Sequence, residues 1–107
     1  MLPPPPDVAK QLIQFIGTAK RTNSEALEVV SFPEEVHIDF MEAGVGTGFA
    51  LPAEVGGAVY DWLSARAGES DNLDLSTCGG KGLFRVERFM RLGRPGVRIH
   101  TAHAHKR

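Results

Sequence analysis

The sequence predicts an α+β fold, with a mainly antiparallel sheet and two helices packed on one of its faces. Two segments have apolar residues at helical spacing, whereas several others alternate apolar and polar residues as half-buried strands do. The links between successive strand segments are short, which favours antiparallel neighbours because parallel strands need long crossover connections. At 107 residues the chain is expected to form one domain.

The composition is that of an ordinary globular domain, with 42% hydrophobic and 23% charged residues. We expect a proline-rich lead-in over residues 1–6, one α+β domain over residues 7–102 and a His/basic tail over residues 103–107. No apolar run reaches the length of a membrane span, and the first residues, MLPPPP, lack the basic and apolar regions of a secretory signal. The sequence therefore predicts a cytoplasmic protein without membrane insertion.

Two helices are predicted from apolar residues at helical spacing. The first runs from about Asp7, which is interpreted as its N-cap, to Arg21. The second runs from about Pro52, a typical first helical position, to Ala67. Its apolar side is predicted to bury Trp62 in the core. That side consists of Val55, Val59, Trp62 and Leu63.

Strand segments precede and follow the second helix. ALEVVSF and VHIDFM are separated by the short break PEE, so they are predicted to pair as a hairpin. In VHIDFM apolar residues occupy every second position from Val36, which is the clearest strand signal in the chain. The other predicted strands are TGFALP, LDLST, LFRVERFMRL and residues 97–101, with GRPG as the last turn.

Two glycine-rich stretches resemble phosphate-binding loops at first sight. STCGGKGLFRV, residues 76–86, lacks the G-x-x-x-x-G-K-[ST] pattern of a Walker A loop and leads into a strand instead of a helix. AGVGTGFALP, residues 43–52, contains a short strand before any helix, so it lacks the context of a dinucleotide fingerprint. Both stretches are predicted to form turns next to strands, and no cofactor is expected.

The charges are divided unevenly along the chain. Residues 1–80 carry 4 basic and 12 acidic side chains, whereas residues 81–107 carry 8 basic and 1 acidic, giving balances of −8 and +7. Arg85 and Arg91 share one face of a predicted strand, and Arg88 takes the other. Two interpretations of this basic hairpin stay open. It suits phosphate binding, because a guanidinium binds phosphate bidentately, or it is simply solvated opposite an acidic surface. Its arginines are Arg85, Arg88, Arg91, Arg94 and Arg98.

No residue is predicted to act as a nucleophile or to bind a metal. Cys78 is the only cysteine and has no histidine near it in the sequence. His37 lies beside Asp39 on one strand face, and both are interpreted as surface polar residues. The C-terminal histidines lack a further cysteine or carboxylate to complete a tetrahedral site, so they are expected to be solvated. They are His100, His103 and His105.

Six segments follow one another in a distinctive order: SEALEVV, EEVHIDFMEAG, FALP, AEVGGAVYDWLSARAG, LFRVERF and VRIHT. Their order and spacing resemble the N-terminal, PAS-like domain of the type II secretion and type IV pilus ATPases, which include the pilus extension and retraction motors. In that family a helix precedes a strand, a hairpin, a strand ending in Leu-Pro, a second helix and late strands of the RFRVNAF and FR type. The likeness covers nearly the whole chain.

The resemblance implies a non-catalytic PAS-like domain that mediates subunit contacts. In the family the Walker A and Walker B motifs lie in a motor domain that follows, so this chain is not expected to be an enzyme. The implied partners are a motor ATPase domain or neighbouring subunits of a homo-oligomer. By pattern, Arg85 in FRV and Arg98 in VRI match late-strand arginines that approach the nucleotide phosphates.

The chain departs from the family pattern in two places. SEALEV replaces SDIH and lacks its Asp-x-His pair, and VHIDFMEAG lacks the arginines of VRYRIDG, so a stand-alone relative of the motors also fits. Two other functions stay open: a small nucleic-acid-binding protein that uses the basic hairpin, and a protein-interaction scaffold without a ligand. Nucleic acid is the weaker expectation, because Phe84 and Phe89, the aromatics nearest the arginines, are both interpreted as core residues.

Overall fold

The computed structural model describes residues 3–67, 72–76 and 83–101. Within these ranges the element order is helix, three strands, helix and three strands, as the sequence predicts. The elements are α1 (Pro6–Arg21), β1 (Ala26–Ser31), β2 (Glu35–Glu42), β3 (Val45–Pro52), α2 (Ala53–Ala67), β4 (Asn72–Asp74), β5 (Leu83–Arg91) and β6 (Arg94–His100).

The strands form one six-stranded sheet in the order β3-β2-β1-β6-β5-β4. Every neighbouring pair is antiparallel, which the short links between strands favour. β1 and β6 are far apart in the sequence and meet at the centre of the sheet, where Val29 lies opposite Val97. These findings confirm the predicted α+β class.

Both helices contribute to a single core on one face of the sheet. Val36, Ile38 and Phe40 are buried there, as the alternation in VHIDFM predicts. Trp62 is 8% exposed and belongs to the same core, which confirms its predicted position. α1 adds buried residues at helical spacing, namely Val8, Leu12, Phe15, Ile16 and Ala19.

The first helix begins one residue earlier than predicted. α1 starts at Pro6 after Pro5, which makes no side-chain capping hydrogen bond, so the prediction of Asp7 as the N-cap was wrong. Proline suits the first turn because its missing N–H has no helical acceptor there. Asp7 lies in this first turn, where its carboxylate interacts favourably with the positive end of the helix dipole.

Pro52 is the last residue of β3, and the second helix begins at Ala53. The predicted start at about Pro52 is corrected accordingly. Val55 is 45% exposed, so its predicted place on the buried side was also wrong. Gly56 faces the sheet instead, and a Cβ there would lie 3.0 Å from the Cβ of Val36. The absence of a side chain at Gly56 therefore allows α2 to approach β2 closely.

Tight turns close the β2–β3 and β5–β6 hairpins. Ala43 and Gly44 have φ of 53° and 81°, and Leu92 and Gly93 have φ of 50° and 79°. Two successive positive φ values are typical of type I′ turns, whose twist matches that of antiparallel strands. The turn predicted at GRPG was misplaced, because the last three of these residues already belong to β6.

Several sequence predictions concern residues outside the described ranges. These are the glycine-rich turn at residues 79–82, Cys78, and the tail over residues 103–107 with His103 and His105. Among the helices that the structure does describe, none is long and apolar enough to span a membrane.

Candidate functional site

The face of the sheet opposite the helices carries interacting charged side chains, and we call it the open face. Strand alternation places every second residue on this face, next to its partners on the neighbouring strands. The register brings Glu28 opposite both Asp39 and Arg98, and Arg98 opposite Glu87. The charged cluster on the open face comprises Glu28, Asp39, Glu87, Arg91, Arg98 and His100.

Glu28 is the central carboxylate of the charged cluster. It is 4% exposed, although it belongs to the middle of β1 on the open face, opposite α1 and α2. Nε of Arg98 donates a hydrogen bond of 2.7 Å to its Oε2, and Nη2 of Arg91 donates to its Oε1. A carboxylate this buried requires such partners, because an unpaired buried charge is strongly unfavourable.

Arg91 links three strands of the sheet. Its Nη1 lies 2.5 Å from Oδ2 of Asp39 on β2, while its Nη2 binds Glu28 on β1. Arg91 is the last residue of β5, so its side chain must extend across β6 to reach both carboxylates. The guanidinium is therefore held in one orientation by two acidic partners.

Glu87 forms the second centre of the charged cluster. Its Oε2 accepts a hydrogen bond of 3.2 Å from Nη1 of Arg98 and lies 2.7 Å from Nε2 of His100. Nη2 of Arg85 lies 3.6 Å from its Oε1. The hydrogen bond with His100 is the main reason that the pKa of Glu87 lies below its usual value, and Arg98 contributes in the same direction against the effect of burial.

Of the two predicted phosphate ligands, Arg98 has the more restrained guanidinium. Burial alone would lower its pKa, but the hydrogen bonds and charges of Glu28 and Glu87 raise it, so the side chain stays cationic. Its Cζ also lies 4.2 Å from the centroid of the Phe89 ring. Gly96 makes this stacking possible, because a Cβ there would lie 2.7 Å from a Phe89 ring carbon.

The structure places both predicted site residues, Arg85 and Arg98, on the open face, where they flank Glu87. Their accessibility differs: the Arg85 side chain is 59% exposed, whereas that of Arg98 is 30% exposed. Their role toward phosphate stays a prediction. The interpretation of Phe89 as a core residue was wrong, because it is half-buried on the open face, whereas Phe84 is fully buried.

The remaining arginines of the predicted basic hairpin also have protein partners. Arg88 lies on the helix side of β5, as the alternation predicts, and donates two hydrogen bonds to the carbonyl oxygen of Ser64 on α2. Arg94 donates to the carbonyl oxygen of Ser31 and lies over the Phe32 ring. The basic segment is therefore used largely to hold the sheet and α2 together.

Sequence reasoning missed the acidic half of the charged cluster. Glu28 is a single charged residue inside the apolar strand ALEVV, and that isolation is a signal of a buried ion pair. Asp39 was interpreted together with His37, but it pairs with Arg91, while His37 lies 2.8 Å from Glu35. The pairing of Asp39 with Arg91 depends on how β6 is placed beside β1, which no turn between these two strands fixes.

The charges of the open face nearly cancel. The charged cluster and Arg85 together contain three arginines and three carboxylates. Among the described residues no group of His, Cys, Asp and Glu has a metal-binding arrangement. Shallow depressions of 770 and 280 Å³ flank the Met41 side chain. The arrangement suits recognition of another molecule by fixed charges, since guanidiniums and carboxylates locked together have little freedom to act as acids or bases.

No family model matches this chain, and no curated protein matches it either.

Proposed function

We propose that this chain is a non-catalytic, PAS-like domain of a secretion or type IV pilus motor ATPase, or a stand-alone relative of one. In this proposal the open face docks against a motor domain and directs arginines toward the phosphates of a nucleotide that the motor domain binds. The fixed orientation of Arg98 by Glu28, Glu87 and Phe89, with the exposed Arg85 beside it, is the observation that carries the proposal.

The element order supports the proposal. β3 ends in Leu51 and Pro52 and passes directly into α2, and β5 and β6 are the late strands on which the FRV and VRI motifs lie. This is the order that the resemblance to the motor proteins implies. The sheet leaves one face without helices in the described part of the chain, and an uncovered face of this kind is available for a partner.

The two arginines would have different tasks at a docked phosphate. Arg85 is more than half exposed and has one long contact of 3.6 Å with Glu87, so a phosphate would compete with a weak ion pair. Arg98 is bound to two carboxylates, so its main contribution is a fixed positive charge beside Arg85. A preoriented cation loses little conformational freedom when its ligand arrives.

The nucleic-acid alternative gains no support from the geometry. Binding to a nucleic-acid backbone needs a surplus of positive charge, because affinity depends on the release of counterions from the phosphates. Arg88 and Arg94 are used in contacts with backbone carbonyls, and Arg91 is neutralised by Glu28 and Asp39. The described part of the hairpin therefore offers little unpaired cationic surface.

Binding to a purified motor domain tests the proposal. The protein should bind the motor domain of a secretion or pilus ATPase from the same organism more tightly when that domain holds a non-hydrolysable ATP analogue than when it is empty. Arg85→Ala should weaken the nucleotide-dependent part of this affinity by about tenfold, which corresponds to one strong charge-assisted contact.

Arg88→Ala is the matched control, because it removes an arginine from the same strand but from the opposite face. It should leave the nucleotide-dependent affinity unchanged. Equal affinity for the empty and the nucleotide-bound motor domain would contradict the phosphate-directed role. No binding to any motor domain would remove the motor assignment itself.

A further inference from the structure

The two edges of the sheet are built very differently. β4 forms one edge, has three residues and includes Asp74. It pairs only with residues 83–85 of β5, so in the described part of the chain the rest of β5 belongs to the same edge and adds the charges of Glu87, Arg88 and Arg91. β3 forms the other edge, has eight residues and contains no charged side chain. Short edges and edge charges prevent strands of separate molecules from pairing, so β4 is protected in a way that β3 is not.

Within the described ranges, the backbone of β3 has no strand partner on its outer side. The type I′ turn at Ala43 and Gly44 joins Glu42 to Val45, and the β2–β3 register then continues without interruption to Pro52. Antiparallel pairing alternates between residues whose backbone faces the partner strand and residues whose backbone faces away. By this alternation, the outward-facing residues of β3 are Gly46, Gly48 and Ala50.

Exposed apolar side chains accompany this edge on the helix side. Val45 is 65% exposed and Phe49 is 46% exposed, and both project to the face where α1 and α2 pack. A groove of 510 Å³ lies beside them, between the two helices and β3. Its lining is mixed: Asp7, Lys10, Gln11, Gln14 and Glu54 are polar or charged, whereas the apolar part comprises Phe15, Phe49, Leu51, Val55 and Ala58. An apolar patch next to an open strand edge is typical of an interaction site.

We propose that β3 pairs antiparallel with β3 of a second copy of this chain, so that the two sheets continue into one another across a two-fold axis. Pairing centred on Gly48 places Val45 opposite Leu51 of the other copy and Thr47 opposite Phe49 of the other copy. These four side chains lie on the helix side, where the groove begins. The apolar residues at the edge thereby cover each other.

Two features favour a second copy over an unrelated peptide. First, the residues whose backbone faces outward are small on both sides of Gly48, so two copies can pair antiparallel around that residue. Second, β3 has no charged side chain, which avoids repulsion between identical strands. The length of the edge also limits how strong such a dimer can be. A strand of eight residues is about 27 Å long, and the smallest extent of the molecule is 23 Å.

The product of these lengths is an upper bound of about 600 Å² on each copy, or about 1,200 Å² in total, at the lower end of specific interfaces. An interface of this size predicts a dimer that dissociates on dilution instead of a permanent one. The open face on the opposite side of the sheet stays uncovered, so the inference is independent of the proposed motor function.

The oligomeric state of the full chain tests the inference. Sedimentation equilibrium from low to several hundred micromolar should show a reversible shift from the 11.6 kDa chain to twice that mass. Val45→Lys and Thr47→Lys should each raise the dimer dissociation constant by about tenfold or more, because a lysine on an edge strand prevents pairing. Both residues are exposed, so the fold should be retained.

Met90→Lys is the matched control. Met90 is 65% exposed, as Val45 is, and it lies on β5, at the opposite side of the sheet from β3. This variant should dimerise like the wild type. Hydrogen exchange adds a second readout, since the amides of Gly46, Gly48 and Ala50 should be protected at high concentration and exchange faster on dilution.

A wild-type protein that stays monomeric at several hundred micromolar would overturn the inference. So would a dimer that Met90→Lys weakens as much as Val45→Lys does, because the contact would then lie elsewhere on the sheet. Equal exchange of the three amides at all concentrations would exclude β3 even if a dimer forms.

Discussion

Glu28 and Arg98 are direct neighbours across the central β1–β6 pair, and the buried carboxylate accepts a hydrogen bond of 2.7 Å from Nε of the arginine. The same carboxylate also binds Arg91, so one acidic residue orients two guanidiniums on the open face of the sheet. This relationship makes Glu28 the residue on which the charge arrangement of the open face depends.

We expect Glu28→Gln to destabilise the protein by about 1–3 kcal/mol, because it leaves two partly buried arginines without their shared counter-charge. Urea unfolding measures the change. Glu35→Gln is the control: the Glu35 side chain is 49% exposed, and the change should cost less than about 0.5 kcal/mol. Equal losses in the two variants would show that the buried network adds nothing to stability.

Stability should decrease in acid partly through Glu87. Its pKa in the folded protein is lowered, first by the hydrogen bond with His100 and then by Arg98. The contribution of Glu87 is therefore fully present above the pKa of an unfolded glutamate, about 4.3, and is lost as pH falls through the lower folded-state pKa. Unfolding free energies of wild type and Glu87→Gln should converge below about pH 4. Curves that stay parallel through this range would contradict the prediction.

Gly48→Ala should disrupt the β2–β3 hairpin. A Cβ at Gly48 would lie 1.7 Å from the carbonyl oxygen of Ile38, so the backbone itself must move, and we expect a loss above about 2 kcal/mol. Gly57→Ala is the contrasting change, because no atom lies within 4 Å of a Cβ there. It removes a flexible residue from α2 and should stabilise by roughly 0.5–1 kcal/mol. Thermal or urea unfolding of both variants decides; similar effects would refute the close approach at Gly48.

Trp62→Ala should cost about 3–5 kcal/mol, the usual result of truncating a buried aromatic. The indole is 8% exposed and packs in the core beneath α2. Val55→Ala on the same helix should cost less than about 1 kcal/mol, because that side chain is nearly half exposed. The comparison by denaturant unfolding tests the orientation of α2. A Val55 loss as large as the Trp62 loss would mean that the helix faces the sheet differently.

The role of Arg85 can be measured in a fusion that places the chain ahead of a matching motor domain. Arg85→Ala should reduce ATP turnover of this fusion by about tenfold or more, because an arginine that acts in trans stabilises the transition state of phosphoryl transfer. Arg85 is the cleaner change, because Arg98→Ala also leaves Glu28 with one partner fewer and so affects stability. The double change is therefore informative only together with an unfolding curve. Unaltered hydrolysis by an intact oligomer would leave the domain a purely structural role.

Local patterns carried most of the fold prediction. The alternation in VHIDFM, the helical spacing around Trp62 and the short links between strands are properties of neighbouring residues, and the structure confirms what they indicate. The predicted start and orientation of α2 were less accurate. The helix is turned so that Gly56, and not Val55, faces the side chains of Val36 and Leu51. This orientation is decided by the packing of α2 on the sheet.

For the candidate site, the sequence by itself determined that Arg85 and Arg91 share a face and that Arg88 does not. The tertiary structure alone decided which charges meet. Arg91 is 52 residues from Asp39 and 63 residues from Glu28, and the contact depends on how β6 is placed beside β1. A turn fixes the register of a hairpin, but β1 and β6 are not joined by one, so their register is decided by the packing of the whole sheet.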